Sequence, residues 1–150
     1  MANHHYTESG LDNVFLEGML VEVDDDGDDI ITIPAINELH KAIALGIVTH
    51  EKGMSGSELR FLRTELGMTQ SEFAVFVHRD KQTIGRWERG ETEMEGVIEA
   101  AIRQHAIQKL ELPFGAGIEE LSSMSVPSAE TQPIRITAND GGHAGYALAA

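Results

Sequence analysis

Between positions 69 and 90 the apolar residues fall three and four apart. Phe73, Ala74 and Val77 form one run and Ile84 and Trp87 a second, the spacing of helices buried along one stripe. A polar break at His78 and Arg79 separates them. Thr69 and Asp80 stand where an N-cap side chain takes up orphan N–H groups, and Gly90 stands where a helix ends. The pattern predicts a helix over 70–77, a tight turn and a second helix over 81–89. Ahead of this pair, Leu59, Leu62 and Leu66 mark a helix starting at Ser57 and stopping at Gly67, with Phe61 off its stripe. Behind it, Met94, Val97, Ile98, Ala101, Ile102, Ala106 and Leu110 mark a fourth helix that covers the core.

Upstream, residues 14–23 alternate as a half-buried strand does, interrupted by Gly18, and 30–33 return as a second strand. Between them DDDGDD is a turn, with Gly27 free to take positive φ. Pro34 suits the first position of a helix whose apolar face holds Ile36, Leu39, His40, Ile43, Leu45 and Ile47. Residues 1–9 are polar and expected to be mobile unless docked, and 6–13 read as a loop. From Pro113 the chain is rich in Pro, Gly and Ser with weak periodicity, which predicts a linker or a loosely docked segment. Ile134 to Thr137 then alternate, Asn139 to Gly142 make a turn, and Tyr146 to Leu148 return, a hairpin that can join the amino-terminal sheet. The expected class is therefore α+β. A β-β-α module for dimerisation or partner binding spans 1–54, a helix-turn-helix bundle of four to five helices 55–112, and a flexible tail with a β-hairpin 113–150.

Charge sharpens this division. The chain of 150 residues carries a formal net charge of −14. Residues 1–54 hold −9 and 91–150 hold −6, while 55–90 hold +1 with six of the eleven lysines and arginines. The one stretch with helix-turn-helix spacing is thus the one stretch not dominated by acids. Acidic flanks weaken non-specific attraction to phosphate and leave affinity dependent on a correct site. There is no cysteine, which removes disulfides and thiolate-held zinc together. No apolar run approaches a membrane span and the first residues have no signal-peptide pattern, so a cytoplasmic protein without membrane association is expected.

No constellation for catalysis stands out. No Gly-x-Ser-x-Gly elbow or HExxH helix occurs, and the carboxylates cluster in turns, so the chain reads as a non-enzyme without cofactor. The acidic turn has carboxylates at Asp24, Asp26 and Asp28 but misplaces the glycine of a calcium loop and has Ala35 where the twelfth-position glutamate belongs. His4-His5 has no third ligand nearby, and His40 reads as a hydrogen-bonded core histidine, so no metal site is assigned.

Arg63, Leu66-Gly67-Met68-Thr69-Gln70, Phe73-Ala74, Val77, Thr83-Ile84, Arg86-Trp87-Glu88 and Gly90 resemble the Cro/repressor type of DNA-binding helix-turn-helix. A wider and looser set, residues 5–14, 39–40 and 58–63, resembles regulators related to the MqsA-type antitoxins, whose cysteine zinc module this chain lacks. The first resemblance implies that the second helix enters a major groove. There Lys81 and Arg86 can donate to guanine and Gln82 can pair with adenine, while Thr69, Gln70, Arg79 and Arg89 hold phosphates. It also implies an ion pair between Arg63 and Glu88 that locks the recognition helix. His78 stands where that family's turn has glycine, so positive φ is expected there at some cost. The expected partner is double-stranded DNA, bound by a homodimeric repressor on an inverted repeat. The antitoxin resemblance implies instead, or in addition, a toxin or other protein held by the acidic module or the tail.

Overall fold

The computed structural model describes residues 2–126 and 132–149 and is of the α+β class. Its strands are β1 (Ala2–His5), β2 (Val14–Met19), β3 (Val21–Val23), β4 (Asp29–Ile31), β5 (Ile134–Ala138) and β6 (Tyr146–Leu148). The helices are α1 (Ile36–Thr49), α2 (Gly56–Glu65), α3 (Gln70–Val77), α4 (Lys81–Glu88), α5 (Gly96–Lys109) and α6 (Ile118–Met124). Two compact units emerge, one made of Met1–Gly46 with Pro133–Ala150 and the other of Ile47–Gln132. Both ends of the chain build the first unit.

In the first unit a sheet runs in the order β1-β2-β5-β6. β2 lies parallel to β5, while β1 and β6 run antiparallel to their neighbours. Alternation puts Val14, Leu16, Ile134 and Ile136 into the core and leaves Phe15, Glu17 and Arg135 more accessible. α1 approaches the sheet at Gly46, where an added Cβ would lie 2.8 Å from Ile134 and 3.3 Å from Leu148. Tyr6 is buried and its hydroxyl meets His40 Nε2 at 3.0 Å, so this histidine is satisfied within the unit.

Several expectations are corrected here. The polar start, expected to be mobile unless docked, is docked as β1, because β2 offers its edge and His5 stacks on Phe15 with ring centroids 4.6 Å apart. The single strand over 14–23 is two. Gly18 lies at φ +82, outside the extended range, and the chain leaves the main sheet after Met19, so that β3 pairs with β4 in a separate ribbon. At the ribbon's tip Asp24 Oδ1 accepts the N–H groups of Asp26 and Asp28 at 3.0 and 2.8 Å, with Gly27 at φ +83. Pro34 is not the first helical residue. Ala35 takes φ +52, and its carbonyl accepts from Glu38 and Leu39 to start α1 at Ile36.

In the second unit α2 starts earlier than expected. Ser55 and not Ser57 begins it, and Ser55 with Glu58 forms a reciprocal capping box. Phe61, off the expected stripe, is nevertheless buried. A short helix, α6, packs along α5 in the stretch expected to be a linker or a loosely docked segment, and with Leu121 fully buried it is docked firmly. Residues 127–131, the remainder of that expected linker, lie outside the described residues.

The least legible part of this unit is its buried charge. Lys52, Glu58, Glu99 and Arg103 are 1%, 0%, 4% and 0% exposed. The Arg103 guanidinium donates to the carbonyls of Val48, His50 and Lys52 at 2.8, 2.9 and 2.6 Å, so a side chain of α5 satisfies carbonyls in the last turn of α1 and just beyond it. Lys52 pairs with Glu58, and Glu99 accepts the N–H of Met54 and faces Arg103 at 3.4 Å. Burial pushes the Arg103 guanidinium below its ordinary range, opposed by Glu99 and Glu58. Burial likewise lowers His50, helped by the Lys52 charge and opposed by Glu58.

Replacing Arg103 with Met is expected to cost on the order of 3–5 kcal/mol in denaturant unfolding, because Glu99 and three carbonyls lose their donor. His50 makes a second expectation. Its folded value lies below its ordinary 6.5, so the unfolded chain takes the proton first. Its contribution is complete above that pH and is lost as pH falls through the window beneath it. A His50→Asn variant should show a shallower loss of stability between pH 7.5 and 5.5 than the parent.

Candidate nucleic-acid interface

Three helices of the second unit converge on one carboxylate. Arg63 of α2 donates from Nε to Glu88 Oε2 at 2.7 Å and from Nη2 to Oε1 at 3.1 Å, and Gln70 of α3 donates to the same Oε1 at 3.1 Å. Arg63 also reaches the carbonyl of Met68 at 2.8 Å, which ties down the chain entering α3. The two charged side chains are 13% and 5% exposed. Bidentate geometry in such a place is the strong form of the interaction. A further constraint sits at Gly56, where any Cβ would overlap the carbonyl oxygens of Trp87 and Glu88. The start of α2 therefore lies against the end of α4 with no room for a side chain.

Local sequence sets the two helices of the motif. Thr69 caps α3 in a capping box with Glu72, each bond at 3.1 Å. α3 ends at His78, which takes φ 57 and ψ 45, the left-handed conformation expected at this position. Asp80 then caps α4, accepting from the N–H and hydroxyl of Thr83 at 2.7 and 2.8 Å. Those bonds hold its carboxyl below the usual range, the backbone one contributing most. Ile84 and Trp87 are buried, and Lys81, Gln82 and Arg86 are exposed. Among the described residues these three side chains have no hydrogen bond or ion pair. Gly85, expected on the exposed face, is buried, because the Arg89 guanidinium folds back over it.

The residues expected to hold phosphate are less free. Gln70 commits one amide hydrogen to Glu88. The Thr69 hydroxyl accepts the Glu72 N–H and keeps its own hydrogen to donate. Arg79 meets Glu95 at 2.6 Å, and Arg89 meets Glu91 at 3.2 and 3.0 Å, all four side chains well exposed. The Glu91 contact raises Arg89 and lowers Glu91. The acidic connection over 91–95 is thus a source of counter-ions for the motif as well as a link. Exposed pairs of this kind are weak and exchange readily. Sequence reasoning assigned these glutamates no partner, although their position just past α4 puts them within reach of its last arginine.

Residues 59–93 match the family model described as helix-turn-helix. The chain carries a DNA-binding helix-turn-helix. The match supports the Cro/repressor part of the resemblance and a transcription regulator, a class of protein that is not enzymatic. No curated protein and no solved structure matches the chain. No helix among the described residues is long and apolar enough to cross a membrane.

Arg63→Ala is expected to cost about 3 kcal/mol, since it strands a nearly buried carboxylate. Glu88→Ala should cost a similar amount. The double variant should lose about 1–3 kcal/mol less than the sum of the two, as measured by denaturant unfolding, because the pair is one interaction.

Proposed function

We propose that the protein is a sequence-specific regulator that reads double-stranded DNA through α4, as a homodimeric repressor on an inverted repeat. The observation that carries this reading is the run from Lys81 to Trp87. It contains no acid, it is anchored by Ile84 and Trp87, and it turns three uncommitted donors outward at Lys81, Gln82 and Arg86. Lys81 and Arg86 suit guanine O6 and N7, and Gln82 suits adenine N6 and N7. Thr69, Gln70, Arg79 and Arg89 stand around this face as phosphate contacts, the arginines by exchanging Glu95 and Glu91 for DNA. One such unit reads a short half-site, so two copies on half-sites about one helical turn apart supply the specificity. Exposed Val75, Phe76 and Val97 give this unit apolar surface for a second copy.

A second reading is supported by the ribbon of β3 and β4. It exposes Val21, Val23 and Ile30 beside Glu22 and five aspartates. Such a surface fits an antitoxin-like module that holds a toxin or another basic protein. Both activities can reside in one chain.

Selection of bound duplexes from a random pool tests the first reading. An enriched palindrome is expected, with affinity falling at a log-log salt slope near −5 if each subunit of the dimer neutralises about three phosphates. Lys81→Ala with Arg86→Ala should abolish the enrichment and any repression. Neutralisation of a protein partner, if it is the activity, should survive that double change. No enrichment at low salt would sink recognition by the protein alone.

A further inference from the structure

Arg60 has no place in the DNA-reading assignment above, yet it lines a cleft with Arg63, Gln70, Gly85, Glu88 and Arg89. Within this cleft the charge of Glu88 is answered by Arg63 and Gln70. Arg60 and Arg89 are the other two cations that line it. Arg60 of α2 is exposed, and among the described residues its guanidinium has no hydrogen bond or ion pair. Arg89 comes from the far end of α4 and lies back over Gly85, where an added Cβ would stand 2.9 Å from its Nη1. The bare position at Gly85 is therefore space that the Arg89 guanidinium fills at the cleft. Its present partner, Glu91, is 54% exposed and supplies an oxygen ligand of the same kind a phosphate would.

We infer that Arg60 and Arg89 form a two-armed clamp for one phosphodiester of the DNA backbone, seated in this cleft. Gly85 keeps the space for the second arm, and Glu91 occupies that arm until DNA displaces it. The inference rests on the DNA-binding reading and adds to it a contact from α2, an element otherwise given only the structural Arg63. Two guanidinium groups on separate helices hold one oxyanion group in register, which fixes how α4 enters the groove without reading any base. Glycine at position 85 acquires a reason that helix propensity does not supply, since alanine there would favour the helix.

Fluorescence anisotropy on a selected duplex, across a series of salt concentrations, tests the clamp, with thermal melting of each variant as the check on folding. Arg60→Ala should weaken binding several-fold at a fixed salt concentration, Arg60→Lys should retain most of it, and Arg60→Ala with Arg89→Ala should reduce the magnitude of the log-log salt slope by about 0.9 per bound subunit. Arg89→Ala should weaken binding to a similar extent, and the two changes together should not simply add, because both act on one phosphate. Glu91→Gln should tighten binding at low salt. A parent protein that binds no duplex at low salt overturns the DNA-binding reading and the clamp with it. A parent that binds, with the affinity of Arg60→Ala unchanged, overturns the clamp alone.

Discussion

The Glu88 carboxylate accepts three hydrogen bonds from two other helices, and the geometry of the DNA-reading face follows from it. α2, α3 and α4 are short, at ten, eight and eight residues, and helices of that length are marginal on their own. Apolar packing of Leu62, Phe73, Ile84 and Trp87 brings them together without specifying direction. The fork of Arg63 on Glu88 does specify it, because two parallel bonds admit one orientation of the guanidinium plane. Gln70 adds the third helix to the same carboxylate. Gly56 completes the constraint sterically by letting backbone meet backbone at the end of α4.

A second set of buried charges uses the same device for a different purpose. Arg103 directs its donors to backbone carbonyls more than to a counter-charge, and so works as a helix cap delivered from another helix. Around it Lys52, Glu58 and Glu99 each have a partner. Burying so many charges does not maximise stability, since apolar replacements of equal shape often do as well. It does give the carbonyls of Val48, His50 and Lys52 a defined donor.

The sequence disclosed those elements whose chemistry is local. Thr69, Asp80, His78 and Gly90 act through neighbours two to four residues away, and so α3, the turn and α4 could be read from spacing alone. The α+β class and the hairpin of β5 and β6 followed from alternation. What could not be read depends on distant partners. The strand character of β1 comes from the edge of β2, the split after Met19 from a backbone turn at Gly18, and the burial of Arg103 from carbonyls some fifty positions earlier. For α6 the helix is too short to show a period. Ser55 was legible in principle, since Ser-x-x-Glu precedes an apolar run, but Ser57 lay closer to the first leucine. At the interface, sequence placed Lys81, Gln82 and Arg86 on one helix face and gave no warning that Arg79 and Arg89 already hold glutamates.

The parallel pairing of β2 with β5 has a consequence in time. Val14 meets Ile134, so the pair forms only after all the positions between them have been made. In the second unit, by contrast, the capping boxes and the α3–α4 turn form between residues a few apart. Contacts of short range close quickly and long loops pay their entropy before the pairing rewards them. As the chain leaves the ribosome the helix-turn-helix unit can therefore assemble while β2 still presents an open edge. The sheet that joins β2 to β5 closes after that unit.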